Sequence, residues 1–317
     1  MSRRRKLALG AVAALLLIAA AGWLASSPRR LDAASVAAVG PGNAQAGEQV
    51  FRIGGCASCH AAPGATGEDR RKLAGGLELK TAFGSFVVPN ISPDPEDGIG
   101  KWSFADFANA VQRGVAPDGR HFYPAFPYPS YAHMTLTDTA DLFAFLHTLP
   151  PVKNKPPASR VSFPYNIRRG IGLWDLAFLR TEPVIALPQD ADPAVRRGRY
   201  IVEGPGHCGE CHTPRNAAGG TDRTQWLAGA SNPDGEGSIP NLTPSEDGLG
   251  DWSAKDIAYY LESGFTPDFD SVGGSMVEVQ ANMSKLPASD REAIAAYLKA
   301  IPARPNGYPP EETKPEG

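Results

Sequence analysis

One five-residue pattern constrains this chain more than any other. Cys56-Ala57-Ser58-Cys59-His60 recurs in outline as Cys208-Gly209-Glu210-Cys211-His212, and the two copies use all four cysteines. On a helical turn, residues three and four apart share a face, so both thiols and the imidazole of each copy can meet one flat ligand. Two thiols at this spacing can bond the two vinyl groups of a porphyrin, and the adjacent histidine then lies under its iron. The expectation is two covalently bound haem c groups. Cys56 and Cys59 hold the first and Cys208 and Cys211 the second, with His60 and His212 as metal ligands.

Other uses of paired cysteines fit less well. Zinc needs four donors in one place, whereas the two units are about 150 residues apart. A redox pair or a disulfide staple has no need of a histidine directly after the second cysteine, twice. The formal charge of -3 argues against a nucleic-acid partner. No serine triad, phosphate-binding Walker loop, zinc-protease pattern or nicotinamide fingerprint is present.

The 317 residues allow two ordinary domains plus extra segments. The 34 glycines and 30 prolines predict many loops and short helices. A porphyrin is itself a large apolar body, so it supplies part of the core that such a chain needs.

The N-terminus reads as a membrane segment. Arg3, Arg4, Arg5 and Lys6 precede an uncharged apolar run from Leu7 to Ala25. At ~1.5 Å per residue that run spans ~28 Å, close to the hydrocarbon thickness of a bilayer. Trp23 lies where an interfacial aromatic belongs. The expectation is an uncleaved anchor over residues 1–30 with the N-terminus inside, and the alternative is a removed secretory signal. Either one exports the rest of the chain, which agrees with haem c chemistry outside the cytoplasm.

Everything after the anchor reads as one unit written twice. Leu73-Ala74-Gly75, Pro89-Asn90-Ile91-Ser92-Pro93 and Glu96-Asp97-Gly98-Ile99-Gly100-Lys101-Trp102-Ser103 return as Leu227-Ala228-Gly229, Pro240-Asn241-Leu242-Thr243-Pro244 and Glu246-Asp247-Gly248-Leu249-Gly250-Asp251-Trp252-Ser253. A short apolar helix is expected before each pentapeptide, carrying Val50, Phe51 and Ile53 or Tyr200, Ile201 and Val202. Ser103 and Ser253 should cap middle helices that end at Gly114 and Gly264. Closing helices should begin at Thr137 and at a Ser289–Glu292 capping box, and stop before Pro150 and Pro302. No strand-like alternation of any length is evident. The fold class expected is mainly α, with two tandem class I cytochrome c domains (45–150 and 193–303) after an N-terminal transmembrane helix. A Pro-rich connector, 151–192, lies between them and a tail, 304–317, follows. The connector's Phe163, Tyr165, Arg168, Arg169, Trp174 and Phe178 either wrap the two domains or form a docking patch.

The sixth iron ligands are harder to place. A methionine thioether is the usual distal ligand of electron-carrying haems. Met276, after Gly273-Gly274-Ser275, is the candidate in the second copy, and Met283 is expected to pack. In the first copy Phe126 aligns with Met276, and phenylalanine cannot ligate iron. Met134 is the candidate there, with His121 as its competitor and an open site as the third option. Asn90, Asn241, Trp102 and Trp252 either bond haem propionates or hold the loop that carries them.

With these residues in view, the chain resembles the cytochrome c subunit of bacterial membrane-bound dehydrogenases of the alcohol, gluconate and aldehyde type. The resemblance runs from about Ala46 to Pro302. It is strongest at Pro89–Asp94, Gly98–Trp102, Tyr123-Pro124-Ala125-Phe126-Pro127-Tyr128 and Gly206–Asn216. It implies a periplasmic, membrane-anchored electron carrier, not an enzyme in itself. A dehydrogenase catalytic subunit would supply the electrons, and a quinone, a soluble cytochrome or an oxidase of the respiratory chain would take them. Better-known members carry three C-x-x-C-H units and this chain has two. The alternative is a dihaem redox enzyme of the peroxidase or thiosulfate dehydrogenase type, which needs one haem with an open sixth position.

Overall fold

The computed structural model describes residues 2–232 and 237–309; most of the predicted tail, 310–317, lies outside them. The fold is predominantly helical, with two separate apolar clusters of similar construction. In the first, helix Ala44–Ile53 packs against helix Leu136–Leu146, with helix Phe104–Arg113 beside them. In the second, Pro193–Glu203 packs against Ala288–Ala300, with Ala254–Ser263 beside them.

Both crossings depend on a glycine. A Cβ on Gly47 would lie 1.9 Å from the Asp141 carbonyl oxygen, and one on Gly198 would lie 1.9 Å from that of Ala293. The helices approach closely because no side chain separates them there. Val50, Phe51, Phe145 and Leu146 then fill the first core, and Ile201, Val202, Tyr297 and Leu298 the second.

The middle helices form as their sequences predict. Ser103 and Ser253 each accept from the backbone N–H three residues on, and Asp106 and Asp256 return the bond to complete capping boxes. Gly114 (φ 61°) and Gly264 (φ 79°) end them in the left-handed region. The closing helices start differently from the expectation. Thr135, not Thr137, caps Leu136–Leu146 by accepting from Asp138 N. Pro287 stands at the N-cap of Ala288–Ala300, so Ser289 falls in the first turn and forms no capping box. In both cases a residue just upstream already has the extended backbone that an N-cap requires.

The strands were not foreseen. Glu78–Thr81 and Gly84–Val87 form a hairpin, and Arg160–Val161 from the connector adds to its edge. A second small ladder pairs Ala230–Ser231 with Ser238–Ile239. These strands are too short for a legible period of two.

The connector wraps both halves. Asn154 donates to the Ala74 carbonyl (2.8 Å) and Ser159 Oγ accepts from Val87 N (2.9 Å). Further on, helix Gly170–Phe178 sends Trp174 Nε1 to the Ala218 carbonyl (2.9 Å). The Glu203 carboxylate then accepts from Val184 N and Ile185 N. The N-terminal helix Arg3–Ala25 is long and apolar enough to cross a membrane, and it buries nothing against the rest of the chain along its apolar window.

Candidate haem-binding sites

Each pentapeptide follows a helix of one of the close-packed pairs and folds as a short helical turn, Cys56–His60 and Gly209–His212. Gly55 (φ 55°) and His207 (φ 40°) turn the chain just before the first cysteine of each copy. None of the four cysteines is in a disulfide. Burial, with the neighbouring thiol adding to it, pushes Cys56 and Cys208 up to about 12. Unmodified, Cys56 and Cys208 are neutral thiols and poor redox nucleophiles.

The histidines are held in one tautomer. His60 Nδ1 donates to the Pro89 carbonyl at 2.8 Å, and His212 Nδ1 to the Pro240 carbonyl at 2.7 Å. A carbonyl only accepts, so Nδ1 carries the proton and Nε2 keeps its lone pair for a metal. Burial lowers both rings, His60 to about 4, despite the opposing carbonyl bond. Each histidine's own carbonyl accepts from the glycine of the Leu-Ala-Gly triplet, Gly75 at 2.7 Å and Gly229 at 2.8 Å. Leu73 and Leu227 lie fully buried in the left-handed region (φ 52° and 59°). The strained turn they make is the same in both copies, a cost of roughly 1–3 kcal/mol that the surrounding packing must offset.

Asn90 and Asn241 lock the loop that carries the prolines. Their Oδ1 atoms accept from Ser92 N and Thr243 N, each at 2.8 Å. Asn90 Nδ2 donates to the Val152 and Asn154 carbonyls, and Asn241 Nδ2 to that of Arg304. Of the two roles considered for these asparagines, loop anchorage is the one the hydrogen bonds describe.

The donor sets fit a haem bonded through sulfur: two thiols on one turn and a neutral imidazole already oriented by its second nitrogen. They do not fit zinc. Among the described residues, no three His, Cys, Asp or Glu side chains gather at one point.

The distal candidates separate. Met276 is half-buried at the start of helix Met276–Met283 and packs on the second core, while Met283 lies inside that core. Met134 is 6% exposed within the first core, in the same cluster as Ala57 of the attachment turn. Phe126 packs against that cluster and against Tyr131. His121 is occupied elsewhere. Its Nε2 donates to the Ser26 carbonyl at 3.0 Å, and its Nδ1 lies 3.2 Å from Asp175 Oδ2. His133 and His147 are also engaged outside any such site, the former lining a cleft with Glu203 and Arg223, the latter donating to the Phe143 carbonyl.

Sequence reasoning missed the seam between the two attachment turns. His207 Nε2 donates to the Gly54 carbonyl at 3.2 Å, and its ring meets Tyr131 edge-on at 5.7 Å between centroids. Ser58, inside the first pentapeptide, accepts from Asn282 of the second half at 3.1 Å. Glu210, inside the second, accepts from Ser130 of the first half at 2.7 Å. Arg70 bonds Glu278 across the same seam. One variable residue of each pentapeptide, Ser58 in the first and Glu210 in the second, thus touches the opposite half. Only the unexplained difference between Ala-Ser and Gly-Glu at those positions hinted at this.

The cytochrome c family model matches residues 44–150. A dihaem c-type cytochrome of Cereibacter sphaeroides is 53% identical over 95% of this chain and 99% of its own length. The chain belongs to the dihaem c-type cytochromes. It carries two covalently bound haem c groups and is an electron carrier rather than an enzyme. The cytochrome is also 38% identical to the cytochrome c subunit of the quinone-dependent alcohol dehydrogenase of Gluconobacter oxydans, over 82% of its chain and 55% of that subunit. To the gluconate 2-dehydrogenase cytochrome c subunit of Pantoea cypripedii it is 36% identical, over 81% of its chain and 59% of the subunit. The cytochrome therefore spans little more than half the length of these dehydrogenase subunits.

Proposed function

We propose that this cytochrome is a membrane-anchored periplasmic relay built from two tandem class I cytochrome c domains, 45–150 and 193–303. It takes single electrons from the catalytic subunit of a dehydrogenase and delivers them to an acceptor of the respiratory chain. The observation that carries the reading is the seam. Two haem-attachment turns of one chain meet through Gly54, His207 and Tyr131, which suits an internal relay between two centres. The relatives named as cytochrome subunits of alcohol, gluconate and fructose dehydrogenases support the choice of donor. The apolar helix Arg3–Ala25 supports the anchor.

Bound haem supplies an iron that cycles between ferric and ferrous states. The protein's part is to hold and insulate it. Cys56, Cys59, Cys208 and Cys211 tether the two groups. His60 and His212 present Nε2 to the metal, with the Pro89 and Pro240 carbonyls fixing the ring planes and raising ligand basicity. Met276 closes the second site, and Met134, the one buried sulfur of the first half outside its cysteines, closes the first. With a methionine sulfur holding each haem opposite its histidine, neither site would admit a substrate.

The test is purification of the native complex from membranes, followed by stopped-flow reduction. A dehydrogenase subunit co-purifying with the cytochrome, and substrate reducing both haems through it, is the expected result. A cytochrome that purifies alone and reacts only with small peroxides would overturn the reading.

A further inference from the structure

The apolar helix does not leave the fold on a free tether. Its last turn is clamped. The Arg169 guanidinium lies over the Trp23 ring at 4.5 Å and donates to the Trp23 carbonyl, Ser26 Oγ and Ser27 Oγ, each at 2.9 Å. Ser26, 2% exposed, gives its carbonyl to His121, and a Cβ on Gly172 would lie 2.2 Å from that oxygen. The chain then continues as a docked segment. Arg30 bonds the Ala116 and Pro117 carbonyls and Leu31 N donates to Asn109.

Positions 169, 172, 173 and 176 fall on one side of helix Gly170–Phe178 and the residue before it. Arg169 and Gly172 on that side touch the end of the apolar helix. Leu173 and Leu176 on the same side are exposed, at 45% and 36%. Just upstream, Phe163 is 78% and Ile167 55% exposed. Exposed apolar groups gathered in so short a stretch mark a contact surface. The stretch from Arg160 to Arg180 also carries four arginines against one acidic residue, Asp175. A membrane-crossing helix ends near the headgroups, where its tryptophan belongs. Whatever is clamped to that turn sits at the same depth.

We propose that residues 163–176 form a second membrane contact, with Phe163, Ile167, Leu173 and Leu176 entering the lipid interface beside the anchor. Arg160 is paired with Glu78 and Arg169 holds the anchor; Arg180, exposed and bonded only to backbone carbonyls, is the charge that complements anionic headgroups. The two haem-bearing halves are then held in one orientation above the bilayer. This rests on the anchor reading.

Haem consumes all four native cysteines, so an introduced cysteine is the one reactive thiol. The full-length cytochrome is floated on phosphatidylethanolamine–phosphatidylglycerol vesicles as the variants Phe163→Cys, Ile167→Cys, Leu173→Cys and, as control, Phe269→Cys, which is 84% exposed in the other half. Each is labelled with a charged water-soluble maleimide and with an uncharged lipid-soluble one. The expected charged-to-uncharged rate ratio at 163, 167 and 173 is about ten-fold below that at 269. Ratios equal to the control in floated protein overturn the proposal and leave the anchor intact. So does protection from both reagents that appears only when a dehydrogenase subunit is added. Full-length protein that fails to float overturns the anchor reading first, and this one with it.

Discussion

The two halves share their proximal chemistry almost atom for atom and differ on the distal side. His60 and His212, Leu73 and Leu227, Gly75 and Gly229, and Asn90 and Asn241 make the same bonds in the same order. Just beyond the middle helix the same turn follows in both, bridged at Val115–His121 and at Phe265–Ser271, and the likeness weakens only between that turn and the closing helix. The carbonyl of the residue before the closing-helix cap is held in both halves, but by unrelated groups. In the first half Gln112 donates to the Met134 carbonyl at 3.2 Å, and in the second Arg291 donates to the Leu286 carbonyl. Met134 therefore stands where the second half has a core leucine, and Phe126 where it has Met276. The lesson is that the bonds holding the histidine repeat closely, whereas the methionines proposed for the far side, Met134 and Met276, occupy different places relative to the closing helices.

The largest effect should come from the attachment cysteines. Replacing Cys208 and Cys211 by Ala should lower the haem content from two per chain to one, read by intact mass and by the pyridine haemochrome assay. Loss of both haems would break the picture of two separately built sites. Next come the sulfurs. Met→Leu is volume-conserving and should cost less than about 1.5 kcal/mol of stability. Met276→Leu and Met134→Leu should each open one ferrous haem to carbon monoxide and lower its potential, whereas the unaltered protein should bind none. A Met134→Leu variant indistinguishable from wild type would make Met134 purely a core residue, as Leu286 is.

Smaller and more nearly equal effects test the shared framework. Gly47→Ala and Gly198→Ala push a methyl into the facing backbone, so each should destabilise its half by about 1–3 kcal/mol in thermal unfolding. Unequal costs would sharpen the comparison by showing which crossing can relax. Ser103→Ala and Ser253→Ala should each cost about 1 kcal/mol, the typical value of a lost N-cap.

Local chemistry was legible in the sequence, and contacts made at a distance were not. The pentapeptide turns, the serine caps of the middle helices and their glycine ends are written in adjacent residues, and the structure places them as read. The caps at Thr135 and Pro287 escaped notice because a nearby Thr or Ser offered the same signal. The hairpin at 78–87 is too short to show a period. Pro89 and Pro240 act through backbone carbonyls, which no side-chain pattern announces. His121 passes on sequence for an iron ligand; only the folded chain brings Ser26 and Asp175 to its two nitrogens.

The seam gives the two pentapeptides separate addresses. Gly209 leaves no room for a side chain, since a Cβ there would lie 2.1 Å from the Trp226 ring, and Glu210 answers Ser130 across the molecule. Transplanting Ala-Ser into the second turn would wedge a methyl into the indole and shorten the reach to Ser130. Transplanting Gly-Glu into the first would set a carboxylate where Asn282 now meets a hydroxyl. Two turns of one outline thus carry contacts that suit each to its own place in the molecule.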